Sequence, residues 1–257
     1  MILAIDMGNT NITLGAYKDN ELIFVSRLYT QRQKSADEYA INISDILNLY
    51  GVSPKDFTDS VLSSVVPELT GVISRAVKLT IGKKPLLIGK EYNGNLKCEI
   101  LPIEHLGADL VCGCVGAIKK YPLPCLVTDM GTATKILAID KEGYFVGCII
   151  SPGVKISLDA LASGAALLPS ISFTKPERVC GRNTVECMQS GSVYGAASMI
   201  DGLISRMTKE LKFENPTLIA TGGYSKGIIP CCEHEIIYDE NLLLDGIKYI
   251  YDKSRGE

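Results

Sequence analysis

With 257 residues, 46% of them hydrophobic, the chain is long enough to bury two cores rather than one; a net charge of −3 without a dense run of Lys and Arg gives no reason to expect nucleic acid. No stretch approaches the roughly 18 unbroken apolar residues of a membrane span, and the N-terminus enters an apolar strand without a basic region or cleavage site, so a soluble cytoplasmic protein with no membrane partner is expected. Nine cysteines, none in a C-x-x-C pair, and only two histidines point to reduced, buried thiols and argue against a zinc site.

The chain begins with the apolar run Leu3-Ala4-Ile5 and ends it in Asp6-Met7-Gly8-Asn9-Thr10; residues 12–17 and the polar group Lys18-Asp19-Asn20-Glu21 follow. This reads as strand, tight turn, strand, polar hairpin, strand. Ser35-Ala36-Asp37-Glu38 is a capping-box pattern, and Tyr39, Ile43, Ile46, Leu47 and Tyr50 recur at helical spacing, which predicts a helix over about 36–50 ended by Gly51. A β-branched strand follows at 61–65. Pro67 opens a helix to about residue 81, and residues 85–88 form another strand. The resulting β-β-β-α-β-α-β order resembles the ribonuclease H-like half of the actin, hexokinase and heat-shock ATPase superfamily.

Residues 90–105 show no clear period, and residues 107–120 read as a helix lined by Leu110, Cys114 and Ile118 that bridges two halves. Strands are then predicted at 125–129, 133–139 and 144–151. They are followed by a Pro152-Gly153 break, a helix to about residue 161, a long helix over roughly 185–212, a strand at 218–221 ending in Gly222-Gly223, and a closing helix over 242–251. The second half repeats the opening: Val127-Thr128-Asp129-Met130-Gly131-Thr132-Ala133-Thr134 restates the first Asp-Met-Gly turn 123 residues on, from Asp6 to Asp129. The fold class expected is α/β, with two ribonuclease H-like (actin-like ATPase) domains related by internal duplication, at 1–115 and 116–257, facing each other across a cleft.

The chemistry of the repeated turn points to a nucleotide. Gly8 and Gly131 let backbone N–H groups approach a phosphate closely, and the hydroxyls of Thr10, Thr132 and Thr134 add donors. An aspartate at the end of each first strand suits a hard cation, and ATP arrives carrying Mg²⁺. A lone D-x-G-x-T is more often turn chemistry, but two matched copies plus the Gly222-Gly223 turn favour phosphate binding. Asp109 begins the bridging helix, where its plain role is to complement the helix dipole and its functional one is a general base for an acceptor hydroxyl attacking the γ-phosphate. Thr184, just before the long helix, reads first as an N-cap.

Taken in order, these motifs resemble the type III pantothenate kinases of bacteria nearly end to end. The matching residues are Asp6-Met7-Gly8-Asn9-Thr10, Ser63-Ser64-Val65-Val66-Pro67, Gly107-Ala108-Asp109, Asp129-Met130-Gly131-Thr132-Ala133-Thr134, Pro152-Gly153-Val154-Lys155 with Ser157-Leu158-Asp159-Ala160-Leu161, Asn183-Thr184 with Ser190-Gly191, and Thr221-Gly222-Gly223. The resemblance implies ATP-dependent phosphorylation of pantothenate to 4'-phosphopantothenate, the entry step to coenzyme A. It implies ATP binding by Asp6, Gly8, Asn9, Thr10, Asn11, Thr13, Thr132, Gly222 and Gly223, with Mg²⁺ oriented by Asp6. Asp109 is then the proton acceptor, Asp129 the ligand of a monovalent cation (K⁺ or NH₄⁺), and Gly107, Ala108, Asp109, Leu110 and Thr184 the residues near the substrate. A homodimer with an apolar interface on the second half is also implied. Three departures stand out: Leu110 where the family's G-A-D-R motif has Arg, Ile100-Leu101-Pro102 within 97–105 where it has Y-D-N-P, and Cys148 in place of the second Gly of a G-G pair. They leave open a paralogous kinase for another small hydroxylated molecule, or a non-catalytic nucleotide-binding regulator.

Overall fold

A computed structural model describes residues 1–89, 92–98, 100 and 102–256, and divides the chain into two compact units. The first unit begins with β1 (Ile2–Met7), β2 (Asn11–Lys18), β3 (Glu21–Tyr29), α1 (Ala36–Leu49), β4 (Asp59–Ser64), α2 (Pro67–Ile81) and β5 (Leu86–Leu87). Its five-stranded sheet runs β3-β2-β1-β4-β5, with β1 antiparallel to β2 and parallel to β4. Central β1 is buried almost throughout, as a strand covered on both faces must be, whereas edge strand β3 is largely half-exposed. On one face, Tyr39, Ile43 and Leu47 of α1 and Leu69, Ile73 and Val77 of α2 close a core over Leu3, Ile5 and Leu14. The expected caps are present: Ser35 Oγ accepts the Glu38 N–H while the Glu38 carboxylate accepts the Ser35 N–H, and Pro67 is the first residue of α2.

Among its described residues the aperiodic stretch holds β6 (Lys97–Cys98) and a 3₁₀ turn (Ile103–His105) before α3 (Ala108–Lys120). The second unit, Lys120–Asn241, contains β7 (Cys125–Met130), β8 (Ala133–Ile139), β9 (Tyr144–Pro152), α4 (Val154–Gly164), α5 (Thr184–Glu210), β10 (Thr217–Thr221), the short α6 (Ser225–Ile228) and β11 (Ile237–Tyr238). Within it the strands run β9-β8-β7-β10-β11, the order of the first sheet. The duplication extends to irregularities: a β-bulge interrupts the second hairpin pair at Ala16/Tyr17 in one unit and at Ala138/Ile139 in the other. The turns differ by one residue, because Met7 faces Ile12 but Met130 faces Thr134.

Two features differ from the sequence reading. The chain returns to the first unit with α7 (Leu242–Arg255), so the units are Met1–Lys119 with Leu242–Glu257, and Lys120–Asn241, rather than 1–115 and 116–257. The cause is packing. Leu244, Ile247, Ile250 and Tyr251 of α7 are buried, Leu244 fills the space left by the missing Cβ of Gly15, and Tyr17 donates to Asp245 Oδ1 at 2.7 Å. The thiols are free as expected, but only Cys112, Cys114 and Cys125 are buried, while Cys148, Cys180 and Cys187 are exposed. Among the described residues no helix is long and apolar enough to cross a membrane.

In the second unit, the carboxylate of Asp201 on α5 accepts the amides of Glu233 (2.8 Å) and His234 (3.2 Å) and lies 2.9 Å from His234 Nδ1. Burial opposes its ionisation, but these donors outweigh it and hold the carboxyl below the usual carboxylate range. A folded-state pKa below the unfolded one contributes stability that is complete above about pH 4 and fades as the pH falls through the lowered value. Asp201→Asn therefore flattens the dependence of Tm on pH below about pH 4. An acid limb identical to that of the native protein would show that Asp201 carries no such linkage.

Candidate active site

In the first unit, β1 and β4 run parallel with Asp6 opposite Ser63, and Ser63 Oγ donates to Asp6 Oδ1 at 3.1 Å. The turn after β1 is closed by Gly8 N–H to the Asn11 carbonyl at 2.9 Å. From the end of β3, Thr30 braces it twice, with Oγ1 donating to Gly8 O at 2.7 Å and its N–H to Thr10 O at 2.9 Å. Asn9, Thr10 and Asn11 are left exposed and Gly8 and Thr13 half-buried.

Asp109 is the second residue of α3, and its Oδ1 accepts the Leu110 N–H at 2.8 Å. A Cβ on Gly107 would lie 2.7 Å from that oxygen, so glycine is what allows the carboxylate to fold over the helix start. One turn along α3 is Cys112, fully buried. Burial pushes its thiol well up, and the carboxylates of Asp6 and Asp109 push it further against an opposing hydrogen bond from Ser63. Ala108 and Leu110 are buried, and Leu110, at 9% exposure, contributes to the core. Leu101 in the altered 97–105 segment lies outside the described residues.

In the second unit, Asp129, the last residue but one of β7, stands directly opposite Lys135 of β8, and Lys135 Nζ lies 2.8 Å from Asp129 Oδ2 with the two side chains only 15% and 13% exposed. The turn is closed by Gly131 N–H to Ala133 O at 3.0 Å and exposes Thr132, whereas Thr134, expected as a further donor, is buried two residues on, where strand alternation turns it away. Gly153, the N-cap of α4, donates to Thr132 O at 3.1 Å, and a Cβ there would overlap the carbonyl oxygens of Gly131 and Thr132. What reads in the sequence as punctuation is a glycine that backs the second turn. Gly222 has φ +94°, and a Cβ on it would lie 2.6 Å from Met130 O, so it seats the third turn against the end of β7. Gly223 beside it is exposed.

Thr184 is the first residue of α5 and not its cap. Asn183 takes that role, accepting the Glu186 N–H at 3.0 Å. Exposed Thr184 lines a cavity of about 760 Å³ together with Leu158, Leu161, Arg182, Cys187 and Met188. Of the groups that matter here, Thr30 and Lys135 leave no local signal. Lys135 is recoverable only by counting register across a three-residue turn.

Two sheets of one topology, each carrying an Asp-x-Gly turn at the end of its first strand, define the actin-like ATPase fold. Of solved structures, component A of the (R)-2-hydroxyglutaryl-CoA dehydratase of Acidaminococcus fermentans shares it, with a TM-score of 0.61 at 16% identity, covering 100% of this chain and 99% of that one. The type III pantothenate kinase family profile matches residues 2–206. Named type III pantothenate kinases from Halalkalibacterium halodurans (39% identity, 99% of this chain and 100% of the relative) and Geotalea uraniireducens (36%, 99% of both) are similar over almost the whole length. The chain belongs to the type III pantothenate kinase family.

Proposed function

We propose that the protein transfers the γ-phosphoryl group of ATP to the primary hydroxyl of pantothenate. The similarity to named pantothenate kinases at 36% and 39% identity over 99% of the chain is the observation that supports this most. Gly8, Asn9, Thr10, Asn11 and Thr13, in and just after the first turn, hold phosphate oxygens through amides and hydroxyls, and Thr132, Gly222 and Gly223 carry donors of the same kinds in the second unit. Asp109 accepts the proton of the attacking hydroxyl as its oxygen forms a bond to the γ-phosphorus; the bond to the bridging oxygen breaks, and ADP leaves.

Asp6 suits Mg²⁺: its carboxylate oxygens are hard donors, the residue opposite it is the neutral Thr13, and Ser63 orients it. Mg²⁺ bound with ATP neutralises charge on the phosphates. A monovalent cation at Asp129 fits poorly, because that carboxylate already has an ammonium 2.8 Å away.

The cavity beside Thr184 is walled by leucines and Met188 and carries Arg182, which matches a substrate with a dimethyl carbon at one end and a carboxylate at the other. Thr184→Val raises KM for pantothenate about tenfold, the effect of losing one hydrogen bond, and leaves ATP affinity unchanged. An unaltered KM would remove Thr184 from the substrate site. Ile156, Leu161, Leu167, Val179 and Val185 are exposed around the same region, and this apolar surface is the face through which the protein forms a homodimer in the cytoplasm. The acceptor is tested by a screen of pantothenate, its amides, pantoate and other polyols for ADP formation. Turnover confined to pantothenate and its close amides supports the proposal, and turnover on another acceptor alone, or none, overturns it.

A further inference from the structure

The two duplicated turns differ in charge at matched positions of strand register. Opposite Asp6 stands Thr13; opposite Asp129 stands Lys135, whose ammonium is 2.8 Å from the carboxylate. Side chains directly opposed in an antiparallel pair are in contact by backbone geometry, and both are largely enclosed, so this is not a chance encounter of flexible surface groups. NH₄⁺, one of the two ions the resemblance implies, is the same chemical group as a lysine ammonium but for one alkyl substituent. A second unit cation about 5 Å from the first would be repelled enough to bind on the order of a hundredfold more weakly at an effective dielectric near 20. We propose that Lys135 is a built-in replacement for the monovalent cation: its ammonium supplies the positive charge at Asp129, holds that carboxylate beside the Gly131-Thr132 turn, and makes added K⁺ or NH₄⁺ unnecessary.

Lys135 is a positioning residue, acting on the nucleotide through Asp129 and the turn. Only the catalytic arm of its test rests on the pantothenate reading. The test compares the native protein with Lys135→Thr in choline chloride and in KCl, by ²⁰⁵Tl NMR with Tl⁺ as the K⁺ probe, by thermal melting, and by pantothenate-dependent ADP release. The native protein is expected to leave the Tl⁺ line unbroadened and to keep the same Tm and the same rate in both salts. Lys135→Thr is expected to lose rate about 10- to 100-fold in choline, as when a group supporting an ion site is removed, and to recover rate and Tm in KCl or NH₄Cl while binding Tl⁺. Specific Tl⁺ binding by the native protein, displaced by K⁺, would overturn the proposal, as would activation of the native enzyme by K⁺ of about tenfold or more. If the variant does not fold, the native arms alone decide. If pantothenate elicits no ADP release, the Tl⁺ and melting arms still decide, and the failure belongs to the assigned reaction and not to Lys135.

Discussion

Replacing Asp109 by Asn lowers kcat by about 10²- to 10⁴-fold and leaves ATP affinity nearly unchanged, the usual consequence of removing a general base. The substitution is a clean one because Asn keeps an oxygen at the position that accepts the Leu110 N–H at 2.8 Å, so the start of α3 keeps its hydrogen bond while the proton acceptor is lost. It is also nearly isosteric, which matters beside Gly107, where there is no room for a larger shift. Single-turnover rates measure the chemical step, and calorimetry with a non-hydrolysable ATP analogue measures binding. An equal loss of nucleotide binding would reassign Asp109 from proton transfer to holding the helix start.

Gly246→Ala unfolds the protein at a markedly lower temperature. Gly246 on α7 meets α3 so closely that a Cβ would overlap the backbone carbonyl oxygen of Cys112, and Gly116 of α3 faces Leu242 O with a Cβ distance of 2.5 Å. The obstacle is backbone and not the end of a flexible side chain, so the two helices must separate. Overpacking of this kind costs about 3 kcal/mol, or roughly 6–12 °C in Tm for a chain of this size. The displaced segment of α3 carries Cys112, one turn from Asp109, so kcat falls alongside stability. Differential scanning calorimetry checks the first effect. A native-like Tm would mean that α7 does not pack on α3 as described.

The parts of this molecule that could be anticipated from the residues are those whose physics is local. Ser35 with Glu38, and Pro67, mark helix starts because they satisfy or dispense with the first free amides. The twin Asp-Met-Gly turns are visible because each sets, at a fixed offset from a strand-end aspartate, the glycine whose amide closes the turn. Non-local placement was hidden. The apolar stripe of α7 tells that a face is buried but not on which sheet, and its docking on the first sheet depends on the small Gly15 of β2 and on Tyr17 reaching Asp245. The pairing of Lys135 with Asp129 depends on a turn one residue shorter than its counterpart, which sets the register. Asn183 and Thr184 are both good cap residues, and only the backbone decides that Asn183 serves. β11 and α6 are too short to leave a period at all.

The most direct measurement is ADP formation by the purified protein with ATP and Mg²⁺, with and without pantothenate, with the phosphorylated product identified by mass spectrometry. The expected result is ADP release that needs pantothenate and matches 4'-phosphopantothenate one for one. ATP turnover indifferent to pantothenate, or no turnover from a folded, nucleotide-binding protein, would contradict it.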